Sequence, residues 1–221
     1  MMFFKQMRAC LSVWYKMSHV TWQLIFSTWR LTLASQPIVA IFGGSRVLQN
    51  DVYAKQARDL AQLLVNEGIS IITGGGTGIM EAANCALPPA GSKAKSIGIG
   101  VKGVIEARNR CVQEYFLLDY FFARKWLFTH FASACVIFPG GYGTLEELAE
   151  VITHIQTKQM QRMPIILIGS EYWKDFMKWL HGEAFKHGLI VQSELDLFTI
   201  TDDLNEVFCL VRDQCAVPAK K

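Results

Sequence analysis

The chain has 221 residues, of which 51% are hydrophobic and 19% are charged. This length can bury the core of one domain, and this composition excludes a long disordered chain. The net charge is only +3 and no run of lysines and arginines occurs, so we expect no nucleic-acid partner.

The first 36 residues differ from the rest of the chain. They contain four cations, many aromatic residues and no Asp or Glu; the cations are Lys5, Arg8, Lys16 and Arg30. The longest uncharged run between them, residues 17–29, is too short to span a bilayer. We predict that residues 1–36 form an extra helix packed on the domain. An amphipathic helix on a membrane surface and a targeting presequence are the alternatives.

From residue 37 onward, short apolar runs alternate with segments of helical periodicity. Strands are predicted at 38–42, 69–73, 96–101, 134–138, 164–168 and 197–200, and helices at 53–65, 79–86, 119–132, 144–158, 171–185 and 203–213. This order predicts an α/β fold with a doubly wound, Rossmann-like, mostly parallel sheet and helices on both faces. We expect residues 37–215 to form this single domain and residues 216–221 to be a tail.

Two glycine-rich loops each connect a predicted strand to a predicted helix. Right-handed crossovers place both at the carboxyl edge of the sheet, where such folds bind ligands. In the loop PGGYGT, glycines without Cβ atoms and a helix start together suit a phosphate. We predict that N–H groups of Gly140, Gly141, Gly143 and Thr144 bind it. The loop GGGTG at 74–78 has the same placement, although both loops could simply be tight reversals of the backbone.

Two common nucleotide motifs are absent from the sequence. There is no GxxxxGK[ST], which disfavours phosphoryl transfer of the P-loop kind, and neither early glycine turn reads GxGxxG, which disfavours a redox dinucleotide.

Three glutamates crowd the helix start that would hold the phosphate: Glu146, Glu147 and Glu150. Carboxylates raise the energy of a nearby anion unless a cation is close. Arg124 and Lys125, on the preceding predicted helix, are the candidate cations. A solvated basic pair on a helix surface is the alternative for them, and a capping box that begins at position 144 is the alternative for Glu147.

Six cysteines lie at positions 10, 85, 111, 135, 209 and 215, and no two form a CxxC pair. We interpret them as reduced thiols of a cytoplasmic protein, with disulfides as the alternative. The five histidines show no HxH or HExxH spacing, so we expect no metal site.

The nine residues PGGYGTLEE at 139–147, with the upstream Arg124-Lys125 pair, resemble the signature of the LOG ("Lonely guy") family. Its members are nucleoside 5′-monophosphate phosphoribohydrolases, and many were once labelled lysine decarboxylases. The turns GGSR at 43–46 and GGGTGIME at 74–81 resemble two further turns of the family. The resemblance covers nearly everything after the N-terminal extension.

The resemblance implies hydrolysis of the N-glycosidic bond of a nucleoside 5′-monophosphate, AMP-like or a cytokinin riboside monophosphate, to free base and ribose 5-phosphate. It implies catalytic roles for Arg124 and Glu147. It also implies a homodimer or larger assembly, and neither a metal nor an organic cofactor. The remaining substrate contacts that it suggests are Gly44, Ser45, Gly75, Gly76, Met80, Glu81 and Lys125.

In this chemistry positive charge develops on the sugar. We assign Glu147 to stabilise that charge and to orient or deprotonate the attacking water, and we expect it to be ionised. Arg124 would balance the phosphate or polarise the departing base. The alternative function is a nucleotide-binding or molybdenum-cofactor-carrier-like protein without hydrolytic activity. Decarboxylation is disfavoured because no local pattern marks Lys125 as a Schiff-base lysine.

Overall fold

The structure, a computed structural model, describes residues 2–104 and 107–216, without the side chains of residues 2, 3 and 214–216. Within these ranges the strands are β1 (Ile38–Phe42), β2 (Ser70–Thr73), β3 (Ser96–Val101), β4 (Glu114–Leu118), β5 (Ala132–Ile137), β6 (Ile165–Leu167) and β7 (Phe198–Ile200). The helices are α1 (Met2–Thr32), α2 (Val52–Asn66), α3 (Ile79–Asn84), α4 (Phe121–Phe131), α5 (Tyr142–Gln156), α6 (Ser170–Trp179), α7 (Gln192–Leu195) and α8 (Leu204–Ala216). A π-helical segment, Leu180–Phe185, follows α6.

The described strands form one sheet in the order β4-β3-β2-β1-β5-β6-β7, and every pairing is parallel. The chain builds outward from β1 to β4 and then returns to the other side of β1 with β5. The strand order therefore reverses between β1 and β5, and a crevice opens at their carboxyl ends. The predicted doubly wound fold is confirmed.

The sheet separates two apolar layers. Side chains of Ile38, Ala40 and Phe42 lie in one layer with α1, α4, α5 and α6. Those of Val39 and Ile41 lie in the other with α2, α3 and α8. Because side chains alternate along a strand and both faces are covered, β1 has to be apolar throughout. Each fully buried side chain of this size contributes about 1.5–3 kcal/mol to folding.

Two elements were not predicted from the sequence, β4 and the short α7. β4 begins with Glu114 and is an edge strand that pairs only with β3 among the described strands, and unlike the central β1, β2 and β3 it is only partly buried. The predicted helix at 171–185 is divided, because its second part has π-helical hydrogen bonding.

The predicted N-terminal helix is present, but only its second half packs on the sheet domain. Val20, Ser27 and Leu31 are buried, whereas residues 4–19 are all exposed. The ion pair of Arg30 with Glu114 and the hydrogen bond between His19 and Asp119 also lie in the second half. No helix among the described residues is long and apolar enough to cross a membrane. The predicted tail lies outside the described residues, apart from the backbone of residue 216.

The expectation of reduced thiols is wrong for one pair, because Cys85 and Cys111 form a disulfide. Their separation of 26 positions gave no pairing signal, but the fold brings their Cα atoms to 4.7 Å, within disulfide range. Cys10, Cys135 and Cys209 are free. Reduced thiols were the argument for a cytoplasmic protein, and one disulfide removes that argument. The cytoplasmic compartment therefore stays a prediction.

Candidate functional site

A cavity of about 610 Å³ lies at the crevice between the carboxyl ends of β1 and β5. The turns after β1 and β2, the start of α5 and one face of α4 form its wall. Eight of the predicted site residues line this wall: Gly44, Ser45, Met80, Arg124, Gly141, Gly143, Thr144 and Glu147. The fold therefore brings together residues that are up to 103 positions apart in the chain, from Gly44 to Glu147.

The start of α5 forms the part of the cavity wall where we predict the phosphate site. The helix begins at Tyr142, two residues earlier than predicted, with Gly141 as N-cap and no side-chain cap. The N–H groups of Thr144 and Leu145 both donate to the carbonyl of Gly141, at 3.0 Å each. An α-helix leaves the N–H groups of its first residues without helical acceptors, here those of Tyr142 and Gly143. These two, more than Thr144, are the donors that the helix start offers.

The glycines of this loop serve different purposes. A Cβ on Gly140 would lie 2.7 Å from the Cβ of Thr144 and 2.9 Å from the N of Gly44, so close packing of two loops requires glycine there. A Cβ on Gly141 or Gly143 would meet nothing within 4 Å, and neither residue has a positive φ. Folding does not require glycine at these two positions, which face the cavity, so a ligand that approaches the backbone is the remaining physical reason for them.

The carbonyl groups of this loop are all hydrogen-bonded. That of Pro139 accepts from the N–H of Gly44 at 2.9 Å, which joins the two turns across the crevice. That of Gly140 accepts from the hydroxyl of Tyr172. With the carbonyl of Gly141 bonded inside α5, the loop is held in place from three directions.

Arg124 and Glu147 form an ion pair between α4 and α5. The Nη2 atom of Arg124 lies 2.9 Å from Oε1 of Glu147, and the two side chains are only 15% and 7% exposed. The guanidinium also lies over the ring of Phe121, 4.9 Å from its centroid. The capping-box alternative is wrong, since Thr144 lies inside the helix rather than at its N-cap and Glu147 bonds across to another helix.

Burial raises the pKa of Glu147, and the opposing charge of Arg124 does not fully offset it. Arg124 and Lys125 favour the ionised form, but desolvation and the neighbouring Glu150 oppose them. A buried carboxyl with a raised pKa next to a fixed guanidinium is a common arrangement for proton transfer at functional sites.

Lys125 forms ion pairs with both of the other two glutamates. Its Nζ atom lies 3.0 Å from a carboxylate oxygen of Glu146 and 3.0 Å from one of Glu150. Burial lowers the pKa of Lys125, but its hydrogen bonds and attraction to these carboxylates outweigh burial, and the pKa is raised. The predicted compensation of the three glutamates is confirmed, and the solvated-pair alternative is wrong. Lys125 does not line the cavity, so its contact with substrate stays a prediction.

The second glycine loop mostly supports the fold. The carbonyl of Gly75 accepts from the N–H of Asn109 at 2.9 Å, and that of Gly76 accepts from the Asn109 side chain at 2.8 Å. Gly75 has a φ of +71°, and a Cβ there would lie 2.6 Å from the ring of Tyr115. Gly75, Gly76 and Glu81 do not line the cavity, so their substrate contacts also stay predictions.

The sequence reasoning missed several residues of the wall, above all Arg46 and an aromatic surface on α4. Phe121 and Phe128 lie three residues before and four residues after Arg124, so all three share one helical face. That spacing was readable in the sequence. Arg46 directly follows the turn after β1, at the same carboxyl edge of the sheet as the predicted phosphate loop, so a cation at this position was also a usable signal. Among the described residues, no group of three or more His, Cys, Asp or Glu side chains is arranged to hold a metal ion.

Known proteins resemble this chain in both sequence and fold. A family model described as "Possible lysine decarboxylase" matches residues 80–211. A cytokinin riboside 5′-monophosphate phosphoribohydrolase of Arabidopsis thaliana is 28% identical over 172 residues, which cover 76% of this chain and 74% of that protein. A probable enzyme of the same name from Oryza sativa subsp. japonica is 31% identical over 156 residues, covering 69% and 72%.

Among solved structures, the molybdenum cofactor binding protein of Rippkaea orientalis superposes with a TM-score of 0.58 at 20% identity, over 80% of this chain and 96% of that one. This likeness concerns the fold alone. The family match covers more than half of the chain, and the sequence relatives agree with it. The chain therefore belongs to the family described as possible lysine decarboxylases, which is the LOG family that its signature residues resemble.

Proposed function

We propose that the protein hydrolyses the N-glycosidic bond of nucleoside 5′-monophosphates to free base and ribose 5-phosphate. The observation that carries this proposal is the buried Arg124–Glu147 pair beside a helix start whose glycines face the cavity. The names of the sequence relatives support the same reaction class.

The 5′-phosphate binds at the start of α5 in this proposal. The N–H groups of Tyr142 and Gly143 and the positive end of the helix attract it, and the absence of side chains at positions 141 and 143 lets it approach the backbone. Arg46 lines the same cavity and adds a positive charge. Binding this remote group positions the anomeric carbon, which raises turnover as well as affinity.

Glu147 acts on the anomeric carbon and on water. As the base departs with the electrons of the broken C–N bond, the carboxylate stabilises the positive charge on the sugar. It also removes a proton from the attacking water, and that proton finally reaches the released base. The raised pKa of Glu147 makes it a better proton acceptor than an ordinary glutamate. Arg124 holds the carboxylate of Glu147 in position. Its guanidinium also places a positive charge close to the phosphate or the departing base.

The base packs against the aromatic face of α4. Phe121, Phe128 and Met80 give this part of the cavity an apolar surface on which a planar ring can stack. We propose AMP-like nucleotides, including cytokinin riboside monophosphates, as substrates. We further propose a homodimer or larger assembly, which light scattering of the purified protein tests.

The decisive experiment is incubation with a panel of nucleoside 5′-monophosphates and with adenosine, followed by chromatography of the released bases. We expect base release from at least one monophosphate, and much slower release from adenosine because it lacks the anchoring phosphate. Equal rates for AMP and adenosine would refute the phosphate site. Tight nucleotide binding without any base release would instead favour the non-catalytic, carrier-like alternative.

A further inference from the structure

The outward side of α1 carries a continuous stripe of exposed apolar side chains. The outer stripe consists of Met7, Leu11, Trp14, Trp22, Ile25 and Trp29, which are between 42% and 70% exposed. Their spacings of three or four residues, with Ser18 in the one wider gap, place them along one side of a helix. Single exposed apolar residues are ordinary, but a stripe of six over most of a long helix indicates an interaction surface.

The attachment of α1 to the domain fixes where this stripe points. Val20, Ser27 and Leu31 are buried on the side of the helix opposite the stripe. An ion pair of Arg30 with Glu114, at 3.1 Å, and a hydrogen bond between His19 and Asp119, at 2.7 Å, hold the rotation of the helix. The outer stripe therefore faces away from the sheet domain along the whole helix.

Charge identifies the class of partner. Lys5, Arg8 and Lys16 are exposed, and within the described part of the chain none of them has an ion-pair partner. Residues 1–36 contain no Asp or Glu, so the same helix of a second copy would bring cations together without compensation. Anionic lipid headgroups supply the missing negative charge. Tryptophans are also enriched at the boundary between headgroups and acyl chains.

We propose that α1 lies in the interface of an anionic membrane, with the outer stripe at the acyl-chain boundary and Lys5, Arg8 and Lys16 among the headgroups. This binding is parallel to the bilayer and does not require a spanning segment. The sequence alone favoured a helix packed on the domain, and the exposed first half of α1 changes that preference. The proposal is independent of the reaction in the cavity.

Flotation of the full chain with vesicles tests the proposal. We expect binding to vesicles of phosphatidylcholine with phosphatidylserine and little binding to phosphatidylcholine alone. Replacing Lys5, Arg8 and Lys16 by Gln should weaken binding ~100-fold, since each cation near an anionic surface contributes a several-fold factor. Replacing Trp14, Trp22 and Trp29 by Ser should weaken it at least ~10-fold because apolar burial is lost.

A matched variant with Leu48, Leu87 and Leu189 replaced by Ser removes three equally exposed apolar side chains elsewhere and should bind like the wild type. Unchanged melting temperatures show that each variant is folded. Absence of binding to anionic vesicles, equal binding to neutral ones, or full binding by the tryptophan variant would each overturn the proposal. So would a tryptophan-dependent oligomer without vesicle binding, which would identify the stripe as a contact between copies.

Discussion

The two glycine-rich loops look alike in the sequence and differ in the structure. In the loop after β2, Gly75 needs glycine because its φ is positive and the Tyr115 ring occupies the space of a side chain. In the loop after β5, Gly141 and Gly143 face open space and need no special backbone conformation. Glycine content alone therefore does not separate a packing loop from a binding loop. The space that a Cβ would occupy does separate them.

The largest expected effect concerns Glu147, whose carboxylate lies next to the loop at 139–144. We call this loop, where we propose that the phosphate binds, the binding loop. Glu147→Gln should lower kcat for AMP by on the order of 10³-fold, since general base catalysis typically contributes 10²–10⁴. Nucleotide affinity should stay within about tenfold, because the phosphate is held elsewhere. Initial rates of base release and calorimetric titration measure the two quantities. Glu171→Gln, in the first turn of α6 and far more exposed, is the matched control and should be neutral.

Wild-type turnover by a folded Glu147→Gln protein would remove this residue from the mechanism. Loss of folding would instead show that Glu147 is a structural partner of Arg124. Circular dichroism distinguishes the two outcomes.

A substitution in the loop at 74–78, which we call the packing loop, should change the stability of the protein. Gly75→Ala should lower the free energy of unfolding by about 2–4 kcal/mol, because alanine pays for a left-handed backbone and its Cβ collides with Tyr115. Urea denaturation measures the change. An unfolding midpoint equal to that of the wild type would contradict the assignment of this loop to packing.

A substitution in the binding loop should change the affinity for AMP. Gly141→Ala should raise KM for AMP about tenfold, because the methyl group occupies ligand space, while the free energy of unfolding changes by less than about 1 kcal/mol. Steady-state kinetics and the same urea titration measure both effects. If Gly141→Ala destabilised the protein as much as Gly75→Ala, the distinction between the two loops would fail.

A smaller effect should appear in the pH dependence of activity. The pKa of Glu147 is raised above its ordinary value of 4.5, and its carboxylate form is the active one, so kcat/KM should fall on acidification with a midpoint above 4.5. The contribution of Glu147 to the free energy of unfolding should change with pH in the opposite direction. A raised folded-state pKa favours the protonated folded state at low pH, and that advantage is lost as pH rises through the folded pKa.

Kinetic profiles and denaturation of the wild type and Glu147→Gln at several pH values measure both trends. As pH rises, the free energy of unfolding of Glu147→Gln should increase relative to that of the wild type. A midpoint at or below 4.5 would show that the buried carboxyl is not the titrating group.

The fold was predictable where one local pattern decided each element. β1, β2, β3 and β5 are largely buried on both faces and mostly apolar, and glycine turns mark their ends. β4 was not predictable in this way, because an edge strand depends on its neighbour β3 more than on its own composition. The disulfide of Cys85 with Cys111 depends on distances that only the folded chain sets.

The site was predictable where one motif carried it. The Arg124–Glu147 pair and the glycines of the binding loop followed from the signature residues. The packing of Gly75 and Gly76 against Asn109 did not, because that contact joins segments 33 or more residues apart. The exact helix start was also missed. No Ser, Thr, Asp or Asn stands at the N-cap, so nothing marked Gly141 as the residue before the helix.

Because the carbonyls of the binding loop are already hydrogen-bonded, the loop suits ligand groups that accept hydrogen bonds better than groups that donate them. Those of Pro139, Gly140 and Gly141 are already engaged by other parts of the protein, so a visiting molecule meets donors and hardly any acceptors along this segment. A phosphoryl group, which only accepts, satisfies such a surface fully. An ammonium group only donates and a sugar hydroxyl both donates and accepts, so each leaves hydrogens without partners there. In the proposed function, this polarity favours the phosphorylated nucleotide over the free nucleoside before any charged side chain contributes.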